Sequence, residues 1–271
     1  MRHSFLVRLI GTALGAGVAV CLTQRKSTVH AFWTTNSEPN VKWDHNWDRR
    51  GEENASSLTL VPDYMDRGSP ADDDIQQPTA TRHLLLVRHG QTTIEKDDTK
   101  RILTQLGRVQ ADFCGQRLKA MGLPFTKMVS STLARAVDTA DIFHRYLPGL
   151  PWQQDPILCE GIPVPPEPAV GRWKPEKQFH VDGVRLEVAF RRYFHRADCR
   201  QSSDSYEIIV CHANIIRYFV CRSLQLPPEA WNRMGLNHAS ITWVRIRPTG
   251  QVTMLQYGDS GFIPAEQVSF I

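Results

Sequence analysis

From about residue 83 onward, runs of aliphatic residues alternate with amphipathic stretches, and this alternation predicts the order of the elements. Leu84-Leu85-Leu86-Val87 is an unbroken aliphatic run, the mark of a strand buried on both faces. It ends in Arg88-His89-Gly90, so two polar side chains stand at the strand's carboxyl edge. Gly90 there permits a sharp turn and a close approach by a ligand. From Leu103 the apolar positions recur at helical spacing to about Met121, with Thr104 as N-cap. Lys127–Ser131 is a short strand running into a helix over Thr132–Ala140, whose first turn carries Arg135. The serines at that junction offer caps, and the helix N-terminus favours anions. Residues 155–183 hold Pro156, Pro163, Pro165, Pro166, Pro168 and Pro175, too many for a helix or a central strand. They predict a long loop with Glu160 at its start. A helix over Val184–His195 follows, then a β-branched strand over Tyr206–Cys211 that ends in His212. A further helix runs through Ile215, Ile216, Phe219 and Val220, with Asn214 as its cap. Ser240–Arg247 and Gln251–Gln256 close the chain as a hairpin about Pro248-Thr249-Gly250. The pattern implies an α/β domain over 82–271 with a mostly parallel central sheet and helices on both faces. Two histidines that each end a buried strand of one sheet can face each other across one crevice.

The first eighty residues read differently. Residues 1–37 contain no acid, and basic ends flank the apolar stretch Leu9–Leu22, which with Phe5–Val7 reaches membrane-spanning length. Gly11 and Gly15 form a G-x-x-x-G pair that lets two such helices pack closely. An uncleaved anchor over 1–26 is preferred here to a secretory signal or an organelle transit peptide. Residues 27–81 are polar, with few aliphatics beyond 34, and read as a linker. Trp43-Asp44-His45-Asn46-Trp47-Asp48 interrupts it, and two tryptophans in a linker need a surface, a second copy of the protein being preferred here to this chain's own domain.

Composition narrows the partners. Charged residues are 22% and the net charge is +4 without a basic block, which favours an anionic small group over nucleic acid. The six cysteines are scattered with no C-x-x-C pair, so neither zinc nor a disulfide framework is indicated, and Cys211 and Cys221 read as buried thiols. Imidazole is a competent nucleophile toward phosphorus, and two arginines, a second histidine and a helix N-terminus supply positive charge for the phosphoryl oxygens without metal or cofactor.

Arg88-His89-Gly90-Gln91-Thr92 resembles the R-H-G-x-T signature of the histidine phosphatase (phosphoglycerate mutase-like) superfamily. Leu103-Thr104-x-x-Gly107-x-x-Gln110-Ala111, Ser130-Ser131-x-x-x-Arg135-Ala136-x-x-Thr139-Ala140 and Cys211-His212-Ala213-Asn214 match its further motifs in order. Glu95 stands where that family commonly has asparagine. The resemblance implies a phosphoglycerate mutase-like fold, with His89 as nucleophile. It assigns Arg88, Arg135 and His212 to the phosphoryl group and Glu160 to the general acid and then the base for water. The assignment of Glu160 rests on the resemblance alone. The chain is also similar to the membrane-anchored mitochondrial serine/threonine-protein phosphatases of this superfamily. Its glycine-rich N-terminal span, its W-D-x-N-W-D island (Trp43, Asp44, Asn46, Trp47, Asp48), Arg82-His83 and His212–Tyr218 carry that likeness. In that family the island drives a homo-oligomer of raised activity. The likeness further implies phosphoserine and phosphothreonine proteins as substrates and a mitochondrial membrane, the outer one preferred to the inner. A small-molecule phosphatase or mutase, and a scaffold with residual activity, are the alternatives.

Overall fold

The computed structural model describes residues 41–50, 77–171 and 174–270. The expected anchor over 1–26 and most of the linker lie outside these residues. Among the described residues no helix is long and apolar enough to cross a membrane.

The elements run β1 (Arg82–Arg88), α1 (Gln105–Ala120), β2 (Lys127–Ser130), α2 (Ala134–Tyr146), β3 (Trp152–Gln154), α3 (Glu176–Tyr193), β4 (Ser205–Cys211), α4 (Ala213–Ser223), β5 (Ile241–Ile246) and β6 (Val252–Asp259). They form one six-stranded sheet in the order β3-β2-β4-β1-β5-β6. The sheet is mixed. β3, β2, β4 and β1 are mutually parallel, while β5 runs antiparallel to β1 and β6 antiparallel to β5. The short Pro248-Thr249-Gly250 connection can only join antiparallel neighbours. Leu84 and Leu86 face α3 and α4 across one apolar cluster, and Leu85 and Val87 face α1 and α2 across another. β1 and β4 pair with Arg88 opposite Cys211, and β2 pairs with β4 with Ser130 opposite Val210. The residues just beyond these three strands therefore meet at one sheet edge.

Several expectations need correction. β3 was not foreseen, because three residues show no periodicity. α3 begins at Glu176, not Val184, since Pro175 ends the loop and precedes the first helical turn, where proline's missing N–H costs nothing. His212, not Asn214, occupies the N-cap of α4, with no side-chain capping bond. The N-cap of α2 is Leu133, also without one, and Ser131 Oγ instead accepts from the Leu133 N–H at 3.3 Å. Gly90 is required by packing. A Cβ on it would lie 2.2 Å from the Gly107 carbonyl oxygen, and one on Gly107 would lie 2.0 Å from that of Gln91.

The island Trp43–Asp48 packs on the chain's own sheet domain and belongs to the same compact unit. Trp47 is buried against Phe190, and its indole N–H donates to the Gly250 carbonyl at 2.8 Å. The Asp48 carboxylate is fully enclosed and pairs with Arg196, with N–O distances of 2.5 and 3.1 Å. Burial alone would raise the Asp48 pKa, but the bonds and charge of Arg196 outweigh it and hold the carboxyl below its usual range.

Candidate active site

His89 follows β1, and its backbone N–H donates to the Cys211 carbonyl at 3.1 Å. That bond ties the ends of β1 and β4 together and brings the His89 and His212 rings to 5.1 Å between centroids. Three motif residues buttress the loop. The Gly90 N–H donates to Thr139 Oγ1 at 3.2 Å, the Gln91 N–H donates to Gln110 Oε1 at 2.9 Å, and Gly107 meets Gly90 backbone to backbone.

His89 Nδ1 lies 2.7 Å from the Gly90 carbonyl oxygen. A carbonyl only accepts, so Nδ1 carries the proton and Nε2 keeps its lone pair. Arg135 Nε donates to that Nε2 at 3.3 Å. Burial, and then the proximity of His212, Arg135 and Arg88, holds the imidazole neutral, well below its usual range. The result is a buried, neutral imidazole whose Nε2 lone pair faces a guanidinium. The terminal nitrogens of Arg135 bind Asp98, to its backbone oxygen at 2.9 Å and its carboxylate at 2.8 Å.

Arg88 turns its Nη1 to the carbonyls of Leu236 and Phe270, and its buried Nε has no partner among the described residues. Burial lowers its pKa to about 10, which still leaves it charged at neutral pH. His212 is fully buried, with Nε2 at 2.8 Å from Ser131 Oγ and Nδ1 without a partner among the described residues. Burial, with Arg135, Arg185 and Arg88 nearby, keeps it neutral.

Glu160 is half-buried in the loop after β3, and burial pushes its pKa up to about 7 against the opposing Gly161 N–H bond and the charges of Arg135 and Arg88. Its Oε1 accepts from the Gly161 N–H at 3.1 Å, so the proton of the acid form sits on Oε2. A carboxyl poised near neutrality can both give and take a proton. All five sequence-derived candidates, Arg88, His89, Arg135, Glu160 and His212, gather at the one sheet edge. Arg135 Nε reaches His89 Nε2, the His89 and His212 rings stand 5.1 Å apart, and Asn214, two residues after His212, donates to the carbonyl of Gly161 next to Glu160.

Sequence reasoning missed three neighbours. His238 stands 5.9 Å from His89 between ring centroids and bonds Ser269 Oγ through Nδ1 at 2.9 Å. Asp98 holds Arg135, and Arg185 holds the Glu160 loop. No local signal marks them, because their partners are distant in sequence or are backbone oxygens. Glu95, at the position where the family's asparagine is common, is exposed.

Comparison with known proteins agrees with this constellation. The profile of the histidine phosphatase superfamily (branch 1) matches residues 84–162 and 173–259. The human serine/threonine-protein phosphatase PGAM5, mitochondrial, is 46% identical over 246 residues, covering 88% of this chain and 83% of that protein. The Mus musculus counterpart of the same name is 44% identical over 268 residues, covering 96% of this chain and 90% of its own. Among solved structures, a phosphoglycerate mutase from Plasmodium falciparum superposes with a TM-score of 0.50 at 29% identity, covering 71% of this chain and all of that one. The motifs, the mixed sheet and the paired histidines at its carboxyl edge thus have one common explanation, and the chain belongs to the histidine phosphatase superfamily, branch 1.

Proposed function

We propose that this chain is a protein phosphatase that removes phosphate from phosphoserine and phosphothreonine through a phosphohistidine at His89. The observation that carries the phosphoryl chemistry is the neutral His89 Nε2 under Arg135, with Glu160 set to about 7 in the same site. Likeness to relatives named serine/threonine-protein phosphatases supplies the substrate class.

In this reading Nε2 attacks phosphorus in line with the departing side-chain oxygen. The bond from phosphorus to that oxygen breaks as Glu160 Oε2 hands it a proton, and Arg88, Arg135 and His212 hold the remaining phosphoryl oxygens. In the tautomer where Ser131 donates to Nε2 of His212, Nδ1 carries the proton, and this unpartnered nitrogen is the donor assigned to a phosphoryl oxygen. Glu160, now ionised, takes a proton from water as the water attacks phosphorus. The phosphorus–nitrogen bond breaks, and phosphate leaves.

The same reading places the protein at a mitochondrial membrane through residues 1–26, supported by the names of its relatives and by the apolar Leu9–Leu22 stretch. It also keeps a homo-oligomer. Trp47 and Asp48 are committed within the chain, so the contact falls to Trp43, Asp44 and His45, where Asp44 Oδ1 accepts from the Asn46 N–H at 2.9 Å and fixes the turn. Trp43 and His45 line a cavity of about 390 Å³ with Thr249, Gln251 and Val252, and the buried Trp43 indole N–H has no partner among the described residues. Trp43→Ala should move the protein to smaller species in sedimentation, and an unchanged profile would defeat this assignment.

The decisive assay follows phosphate release by the full chain from phosphothreonine peptides, 3-phosphoglycerate and sugar bisphosphates, with and without chelator. Release from the peptides, lost in His89→Ala and indifferent to chelator, is the expected result. Turnover of the small metabolites alone would replace it with a mutase-type or small-molecule reading.

A further inference from the structure

Glu160 lies in a loop, and a general acid must hold its carboxyl steadily against the leaving oxygen. What steadies this loop is one side chain from α3. Arg185 donates through Nη1 to the carbonyls of Ile157 at 3.0 Å and Cys159 at 2.5 Å. Through Nη2 it donates to the Glu160 carbonyl at 3.1 Å and to Asp182 Oδ1 at 3.0 Å. Three backbone carbonyls within four residues thus converge on one planar cation, a geometry that a guanidinium meets and an ammonium does not. Asp182 extends the clamp, since its Oδ2 accepts from the Ile162 N–H at 3.1 Å. From the other side, Asn214 of α4 donates to the Gly161 carbonyl at 3.1 Å. The fit is close enough to dictate the neighbouring residue. A Cβ on Gly161 would stand 2.4 Å from Arg185 Nη2 and 2.9 Å from the Asp182 carboxyl carbon.

We propose that Arg185 is a positioning residue for proton transfer: through the carbonyls of Ile157, Cys159 and Glu160 it holds the Glu160 carboxyl where the leaving oxygen departs. It touches no reacting atom. All its hydrogen bonds run to the backbone of the loop and to Asp182, so its main part is in proton delivery, while its charge also bears on His212. The proposal rests on the reading of Glu160 as the general acid, and its test must separate the two.

The test measures kcat and KM of the full chain against a phosphothreonine peptide and p-nitrophenyl phosphate, for wild type, Glu160→Gln, Arg185→Ala and Arg185→Lys. An aryl oxide leaves with little protonation, whereas a threonine alkoxide needs it. Arg185→Ala should lower kcat/KM on the peptide, which reports the steps up to departure of the leaving oxygen, by about 10- to 100-fold, the scale of a displacement near 1 Å. The loss of kcat/KM on p-nitrophenyl phosphate should stay within about threefold, because this quantity leaves out the water step that both substrates share, and phosphorylation by an aryl phosphate rests on the histidines and on Arg88 and Arg135. Arg185→Lys, which retains the charge and part of the bonding, should fall between. Added guanidinium ion should restore part of the Arg185→Ala rate on the peptide, which a general loss of folding would not allow. Equal losses of kcat/KM on both substrates, or no change, would overturn the role of Arg185, and Arg185→Lys decides the matter if the alanine variant does not fold. If Glu160→Gln itself shows no difference between the substrates, the acid has been misassigned, and that failure is visible before Arg185 is considered.

Discussion

Replacing Asp48 with alanine removes one half of an enclosed ion pair and leaves the other half, Arg196, in place. The Asp48 side chain has no exposure and that of Arg196 only 11%, so the guanidinium cannot rehydrate without opening the fold around it. Its only other acceptor on the island is Asn46 Oδ1 at 3.4 Å. Breaking a buried pair from one side costs about 3–5 kcal/mol, which at about 2–4 °C per kcal/mol for a domain of this size predicts a melting temperature lower by roughly 6–20 °C. Removing both partners, in Asp48→Ala with Arg196→Met, should recover part of the loss. The pH dependence has a definite sign. Asp48 is held below the ordinary aspartate value of about 3.9, so the pair contributes fully above that value and its contribution is lost as pH falls through the lower folded-state value. The gap in stability between wild type and Asp48→Ala should therefore close in acid. The assay is thermal unfolding over a range of protein concentrations. Were Asp48 important only for assembly, the difference would grow with concentration. A deficit that vanishes in dilute protein, or one under about 1 kcal/mol throughout, would refute the intrachain account.

Two further outcomes follow from the site. The kcat/KM for phosphothreonine peptides should fall about tenfold per pH unit above about 7, where Glu160 loses its proton, while the profile for p-nitrophenyl phosphate stays nearly level, and parallel profiles would remove Glu160 as the acid. Gly107→Ala should cost at least about 1–3 kcal/mol and most of the activity, because its methyl group would press on the Gln91 carbonyl and neither backbone can yield; a variant of normal melting temperature and rate would contradict the packing.

The catalytic edge was legible because buried strands announce themselves. Leu84–Val87 and Ile208–Cys211 could only be interior strands of one sheet, and whatever follows such strands shares an edge. The clustering of His89 and His212 needed no more than that. Glu160 needed the family resemblance, since nothing local distinguishes a loop glutamate whose pKa is raised by burial from one in water. The start of α3 was hidden by Pro175, which punctuates a loop and opens a helix with equal ease. Gly107, Gln110 and Thr139 were visible as motif letters, but their work in bracing the turn after His89 depends on contacts 17 to 49 residues away along the chain. The need for a surface was legible from the two tryptophans, but the preferred partner, a second copy, is not what covers Trp47 and Asp48. The surface they found, beside Phe190, Arg196 and Gly250, is assembled from α3 and the β5–β6 hairpin and exists only once the fold is complete.

The bond from His89 Nδ1 to the Gly90 carbonyl reaches beyond the first chemical step. In the proposed mechanism its proton stays on the ring when Nε2 takes the phosphoryl group, so the phosphorylated side chain would be an imidazolium and not a neutral imidazole. When water attacks, the group expelled from phosphorus is then neutral imidazole, a far better leaving group than its anion. The intermediate is activated toward hydrolysis from the moment it forms, and a single 2.7 Å contact with one backbone oxygen sets both the readiness of the nucleophile and the brevity of its covalent state.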